Sequence, residues 1–161
     1  GVSPKLGLEL GASYYTGNYD DNDSKNIQLL GFDVAYASGP MELVAEYAQT
    51  NVDVAAANSS TIPDEMSGYY IEGRYHMPAD IFKNWLSDFR NPTITLFGRY
   101  GDIDTDLNDN TADGLDQSQI TLGANLRPIE NLVYKLEYEI NDEAGTEVDN
   151  NRILASVAMG F

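Results

Sequence analysis

The chain has 161 residues, 26 of them acidic against nine basic, for a net charge of −17, and no cysteine. That length allows one domain with a sizeable core. The missing cysteines exclude disulfide staples, and the acidic balance argues against nucleic acid, which needs clustered Lys and Arg. No run of 18 apolar residues is present, so no helix is expected to span a membrane. The chain opens at Gly1 without a basic-then-apolar leader, as expected of a mature or trimmed chain.

Hydrophobicity alternates with period two along the chain. KLGLELGASYYT puts Leu6, Leu8, Leu10, Ala12 and Tyr14 on one face, and LLGFDVAY does the same with Leu30, Phe32, Val34 and Tyr36. MELVAEYA gives Met41, Leu43, Ala45 and Tyr47, and YYIEGRYHM gives Tyr69, Ile71, Gly73, Tyr75 and Met77. TITLFGRYG follows with Ile94, Leu96, Gly98 and Tyr100, then QITLGANLR with Ile120, Leu122, Ala124 and Leu126. LVYKLEYEI contributes Leu132, Tyr134, Leu136, Tyr138 and Ile140, and RILASVAMGF closes with Ile153, Ala155, Val157, Met159 and Phe161. Eight strands are expected, each near the roughly 9–11 residues that cross a bilayer at a tilt.

The two faces of these segments differ. None of the positions just named is charged, whereas the opposite face carries Glu9, Asp33, Glu42, Glu46, Glu72, Arg74, Arg99, Arg127, Lys135, Glu137, Glu139 and Arg152. A soluble sandwich alternates too, with its charge outward, whereas a membrane barrel turns the apolar face to lipid and the polar one to the lumen. Tyrosine placement favours the barrel. Tyr14, Tyr36, Tyr47, Tyr69, Tyr75, Tyr100, Tyr134 and Tyr138 all fall on the apolar face, mostly near segment ends, as an interfacial girdle requires. Phe161 joins them as an aromatic last residue, a common ending of bacterial outer-membrane barrels and the feature their assembly machinery is thought to read.

Connection lengths give a second line of argument. SGP and RPIEN are short, while GNYDDNDSKN, TNVDVAAANSSTIPDEMSG, DIDTDLNDNTADGLDQS and NDEAGTEVDNN are long and polar. Short turns and long loops that alternate are the pattern of outer-membrane barrels and place both termini in the periplasm. HMPADIFKNWLSDFRNP breaks the rule. Ile81, Phe82, Trp85, Leu86 and Phe89 recur at helical spacing, so a short amphipathic helix is expected over about 78–90, capped near Asp80 and lying at the periplasmic interface or packed on protein.

The four long polar loops hold 16 of the 26 acids and one base, Lys25. In DIDTDLNDN, Asp102, Asp104 and Asp106 are followed by Asn108 and Asn110 at the same spacing, an oxygen set that suits a loop-bound Ca²⁺. It is no EF-hand, since Leu107 stands where the turn glycine belongs and Asp113 where the bidentate Glu belongs. The competing reading is a solvated loop whose charge keeps the cell-facing surface hydrated, or meets lipopolysaccharide through bridging divalent ions. No other cofactor is expected, and no enzyme activity. The single histidine, His76, has no GxSxG-type partner, and no phosphate loop or nucleotide fingerprint is present.

GYYIEGRYHM, NPTITLFGRYGDIDT, ITLGANLRPIENLVYKLEY and the closing Phe161 resemble the C-terminal half of porin-like proteins of the phosphate-selective porin superfamily of Gram-negative outer membranes. LGLELGASYYTG and FDVAYASGPMELVAEYAQ resemble the strands just upstream in that family, so the resemblance covers nearly the whole chain. It implies a 16-stranded pore of well over three hundred residues, often a homotrimer, whose last eight strands this chain supplies. Residues 1–161 are then one all-β, transmembrane antiparallel barrel portion. Its expected role is passive diffusion of ions and small hydrophilic solutes across the bacterial outer membrane, with the twelve charged residues lining the pore. Arg74, Arg99, Arg127, Lys135 and Arg152, the expected lumen cations, are each matched by nearby acids and no dense basic ladder is present, so the expectation is a general or mildly cation-preferring channel rather than a phosphate one. The alternative is a sealed eight-stranded barrel with a structural or adhesive role through its acidic loops. Closure separates the two, because the sealed barrel must pair KLGLELGASYY with RILASVAMGF.

Overall fold

The computed structural model describes residues 2–5, 7–22, 24–55, 62–77, 81, 89, 92–107, 116–143 and 150–160. Its strands are β1 (Val2–Lys5), β2 (Leu8–Asn18), β3 (Asn26–Ser38), β4 (Met41–Val52), β5 (Glu65–Met77), β6 (Thr93–Asp104), β7 (Gln117–Ile129), β8 (Leu132–Glu143) and β9 (Arg152–Met159). They form one sheet in chain order, antiparallel at every step. Seven of the eight expected segments are single strands, and the first is not. In KLGLELGASYYT the chain reverses at Gly7, whose φ is 83° and whose Cβ, were there one, would lie 2.3 Å from the Ala37 carbonyl oxygen. Only glycine meets both demands. Val2–Lys5 therefore folds back on Leu8–Leu10 as a short added strand.

The remaining short connections lie at the same end as Gly7. Gly39, at φ 58°, is the first central residue of the two-residue turn between β3 and β4, where the primed hairpin turns need a positive φ. Between β7 and β8 the register shifts beside Pro128, as expected where proline leaves a ladder position without an N–H. The long polar connections all lie at the opposite end. Of the expected helix only Ile81 and Phe89 are described, so that expectation lies outside the described residues, as do Leu6 and Phe161.

Burial is inverted relative to a soluble sheet. Among the described residues no hydrophobic side chain is buried, while Glu72 (2 %), Thr121 (3 %) and Glu139 (8 %) are. Leu136 is 56 % exposed and Ile153 73 %, and Tyr14, Tyr36, Tyr69, Tyr75, Tyr100, Tyr134 and Tyr138 are exposed with them. Of the expected girdle, Tyr47 is only half-buried, its hydroxyl 3.0 Å from Gln49 Oε1. Eight strands at about 4.8 Å spacing, with roughly 20 Å of apolar height, make a patch on the order of 800 Å². Soluble monomers rarely expose more than a few hundred.

The register also staggers the strands. Opposed residues run Glu9, Ala35, Val44, Glu72, Arg99, Thr121, Glu139, Arg152. Glu9 lies near the short-turn end of β2 and Arg152 at the long-loop end of β9, so this row climbs the sheet as it crosses it. Measured at either end of the strands, the climb corresponds to a tilt of roughly 30–40°, overlapping the 35–45° of closed barrels. Among the described residues β9 pairs with neither β1 nor β2, and both edges of the sheet are open.

Candidate functional site

The polar face is the concave one. A hollow of about 730 Å³ is lined from six strands, among them by Glu46, Tyr70, Arg99, Gln119, Glu143 and Arg152. A second, of about 540 Å³ towards the short turns, is lined by Glu72, Arg74, His76, Thr95, Lys135 and Glu137. A sheet contributes six strands to one hollow only when it curls around it.

At the centre lies a network that the register assembles. Glu72 on β5 faces Arg99 on β6 directly, and Arg74 stands two residues along on the same face of β5. Arg99 donates to Glu72 Oε2 from Nε (2.7 Å) and Nη2 (2.6 Å), while Arg74 Nε donates to Oε1. One buried carboxylate thus serves two guanidinium groups. Arg74 reaches on to Glu42 Oε2 at 3.3 Å, and Glu42 Oε1 lies 3.2 Å from His76 Nε2. The other ring nitrogen of His76 is 2.8 Å from Thr95 Oγ1. On its far side the Arg99 guanidinium sits 5.2 Å over the Tyr70 ring, a cation–π contact, and the Tyr70 hydroxyl bonds Glu46. The chain from His76 to Glu46 ties β4, β5 and β6 together.

Towards β9, Arg152 pairs with Glu139, and Gln119 Nε2 donates 2.7 Å to Asn141 Oδ1. Seven of the twelve expected lining residues fall in these ion-pair and ring networks: Glu42, Glu46, Glu72, Arg74, Arg99, Glu139 and Arg152. Glu9 is exposed on β2, and Asp33 covers Gly11 and lies opposite Glu46. Every lumen cation was expected to have a nearby acid as its match. Arg127 and Lys135 have no ion-pair partner among the described residues, because Thr93 and Asn125 stand opposite them. Tyr70 and Thr121 were missed because only charges were counted on that face; strand parity alone would have found both.

Thr95, His76 and Glu42 are in line like a nucleophile, a base and its orienter. Yet β6 is paired on both sides, so the backbone N–H groups around Thr95 are spent on ladders rather than free to stabilise an oxyanion. The arrangement is a hydrogen-bonded relay. Of the expected Ca²⁺ ligands, Asp104 Oδ1 accepts the Asp106 N–H at 2.9 Å and Asp102 Oδ2 accepts the Tyr100 hydroxyl at 3.3 Å. No cluster of three acids or histidines suited to a metal is found among the described residues, and Asn108 and Asn110 lie outside them.

Fold and site together define an antiparallel all-β sheet with an apolar convex face and a charged, hydrogen-bonded concave one. The chain matches no family model, no curated protein and no solved structure.

Proposed function

We propose that this chain is a section of the wall of an outer-membrane β-barrel pore, through which ions and small hydrophilic solutes diffuse. The observation that carries the reading is the inverted burial: Glu72 is 2 % exposed on the concave face while Leu136 is 56 % exposed on the convex one. In water that arrangement wastes the hydrophobic effect; in lipid it satisfies it. The barrel-like tilt and the alternation of short turns with long acidic loops support the same reading.

The open edges bear on how the barrel is completed. Open edges do not persist in lipid, so β1 and β9 need partners. An odd number of antiparallel strands leaves β1 and β9 running the same way, and joining them would make a parallel seam. Further strands from outside this sheet, as in the porin superfamily the sequence resembles, complete an antiparallel wall. Lipid and lipopolysaccharide are then the partners of the convex face. With seven acids and five bases among the twelve lining residues, a net of −2, the pore prefers cations mildly or not at all.

A second reading has one observation behind it. At the observed tilt, β9 comes level with the part of β2 that β1 leaves free, Gly11–Asn18, so β2–β9 alone can close as a sealed eight-stranded barrel. Its interior would have to absorb both hollows and all twelve charges. Single-channel recording of the natively extracted protein in a planar bilayer with a salt gradient separates the two. Large uniform steps are expected; silence would mean the sealed barrel, with function moved to the loops.

A further inference from the structure

We infer that Glu72 sets the ion preference of the lumen by holding two guanidinium groups against the wall, an inference that rests on the pore reading. Both oxygens of its carboxylate are taken, Oε1 by Arg74 and Oε2 by Arg99. The carboxylate side chain is 3 % exposed, whereas those of Arg74 and Arg99 are 39 % and 44 % exposed. The acid is therefore the buried anchor, and the two cations are the groups facing the lumen. Their secondary contacts differ in kind: among the described residues Arg74 has Glu42 at 3.3 Å, and Arg99 has only the Tyr70 ring. Lys135, by contrast, has no ion-pair partner among the described residues and already presents its charge to the same hollow.

This makes the selectivity of the wall depend on pairing rather than on charge count. A guanidinium folded onto a carboxylate contributes little field to a passing ion, and an unpaired one contributes its full charge. Glu72→Gln removes one negative charge and also releases Arg99, and in part Arg74, from the wall. Arg99→Gln in the wild type removes a guanidinium that Glu72 already masks, whereas beside Glu72→Gln it removes an unmasked one.

The test is the reversal potential of the natively extracted full-length protein in a planar bilayer under a potassium chloride gradient. Glu72→Gln should lower the cation-to-anion permeability ratio about threefold or more, and Arg99→Gln alone should change it less than about 1.5-fold. Adding Arg99→Gln to Glu72→Gln should restore most of the original ratio. Equal Arg99→Gln shifts in the wild type and in the Glu72→Gln background would overturn the inference. Should Glu72→Gln fail to assemble, Arg99→Gln and Lys135→Gln decide instead. Masking requires Arg99→Gln to change the ratio much less than Lys135→Gln, and equal changes would overturn it. A wild-type protein that carries no current removes the pore reading itself, whereas a conducting wild type with equal shifts removes only the role of Glu72.

Discussion

Replacing Leu136 by arginine tests which solvent the convex face meets. Leu136 is the middle of the five alternating positions Leu132, Tyr134, Leu136, Tyr138 and Ile140 on β8, and it is 56 % exposed. Two residue pairs on either side put it about 14 Å along the strand from each end of the apolar row, or roughly 10 Å in height at the observed tilt. That is the middle of the apolar band, where arginine on the lipid face of a barrel costs about 2–4 kcal/mol. The equilibrium constant for unfolding should then rise about 30- to 800-fold. On a water-facing surface the same exchange would stay within about 0.5 kcal/mol. The assay is a denaturant titration of the protein reconstituted in phospholipid vesicles, with Met159→Arg, at the short-turn end of β9, as a companion. There the cost should fall to about 0–1 kcal/mol, because the side chain can reach the interface. A Leu136→Arg change under 0.5 kcal/mol, or equal costs at the two depths, would refute a lipid-facing convex surface.

Two further outcomes are expected. A Cβ at Gly123 would lie 2.4 Å from the Phe97 ring, so Gly123→Ala should destabilise the protein by about 1–3 kcal/mol; in a Phe97→Ala background most of that cost should vanish, and additive costs in the double-mutant cycle would count against the ring-on-glycine contact. In the first long loop the Asp20 carboxylate accepts the Ser24 hydroxyl, with further bonds from the Lys25 and Ser24 N–H groups, and this holds its pKa below the ordinary aspartate value. A depressed folded-state pKa means that the bonds are fully present above the unfolded value of about 3.9 and are lost as pH falls through the lower, folded one. The Ser24 and Lys25 amide resonances should therefore titrate below that value in an NMR pH series, and a midpoint at or above it would contradict the capped loop.

Much of the fold is legible because period two is a local property. Whether Leu136 or Lys135 points to a given side depends only on counting along one strand, so the apolar and charged faces of β3 to β9 follow from spacing alone. The turn at Gly39 is legible for a similar reason, since a Gly-Pro pair between two alternating runs is a turn signal in its own right. The reversal at Gly7 is not. KLGLEL alternates without interruption, and the need for glycine there comes from Ala37, thirty residues away, whose carbonyl leaves no room for a Cβ.

The candidate site divides along the same line. That Glu72 and Arg74 share a face is written in their spacing on one strand, and so is the membership of Tyr70 and Thr121, had uncharged residues been read. What the chain by itself determines is therefore which residues face the polar side, because side-chain direction in a strand is fixed residue by residue. Which of them meet is decided by register, and a slip of two residues between β5 and β6 would keep every face and change every pair. Only the assembled sheet places Arg99 opposite Glu72 while leaving Arg127 and Lys135 opposite Thr93 and Asn125. The physical reason is that alternation is a property of one strand, whereas an ion pair belongs to two strands and the connection that aligns them.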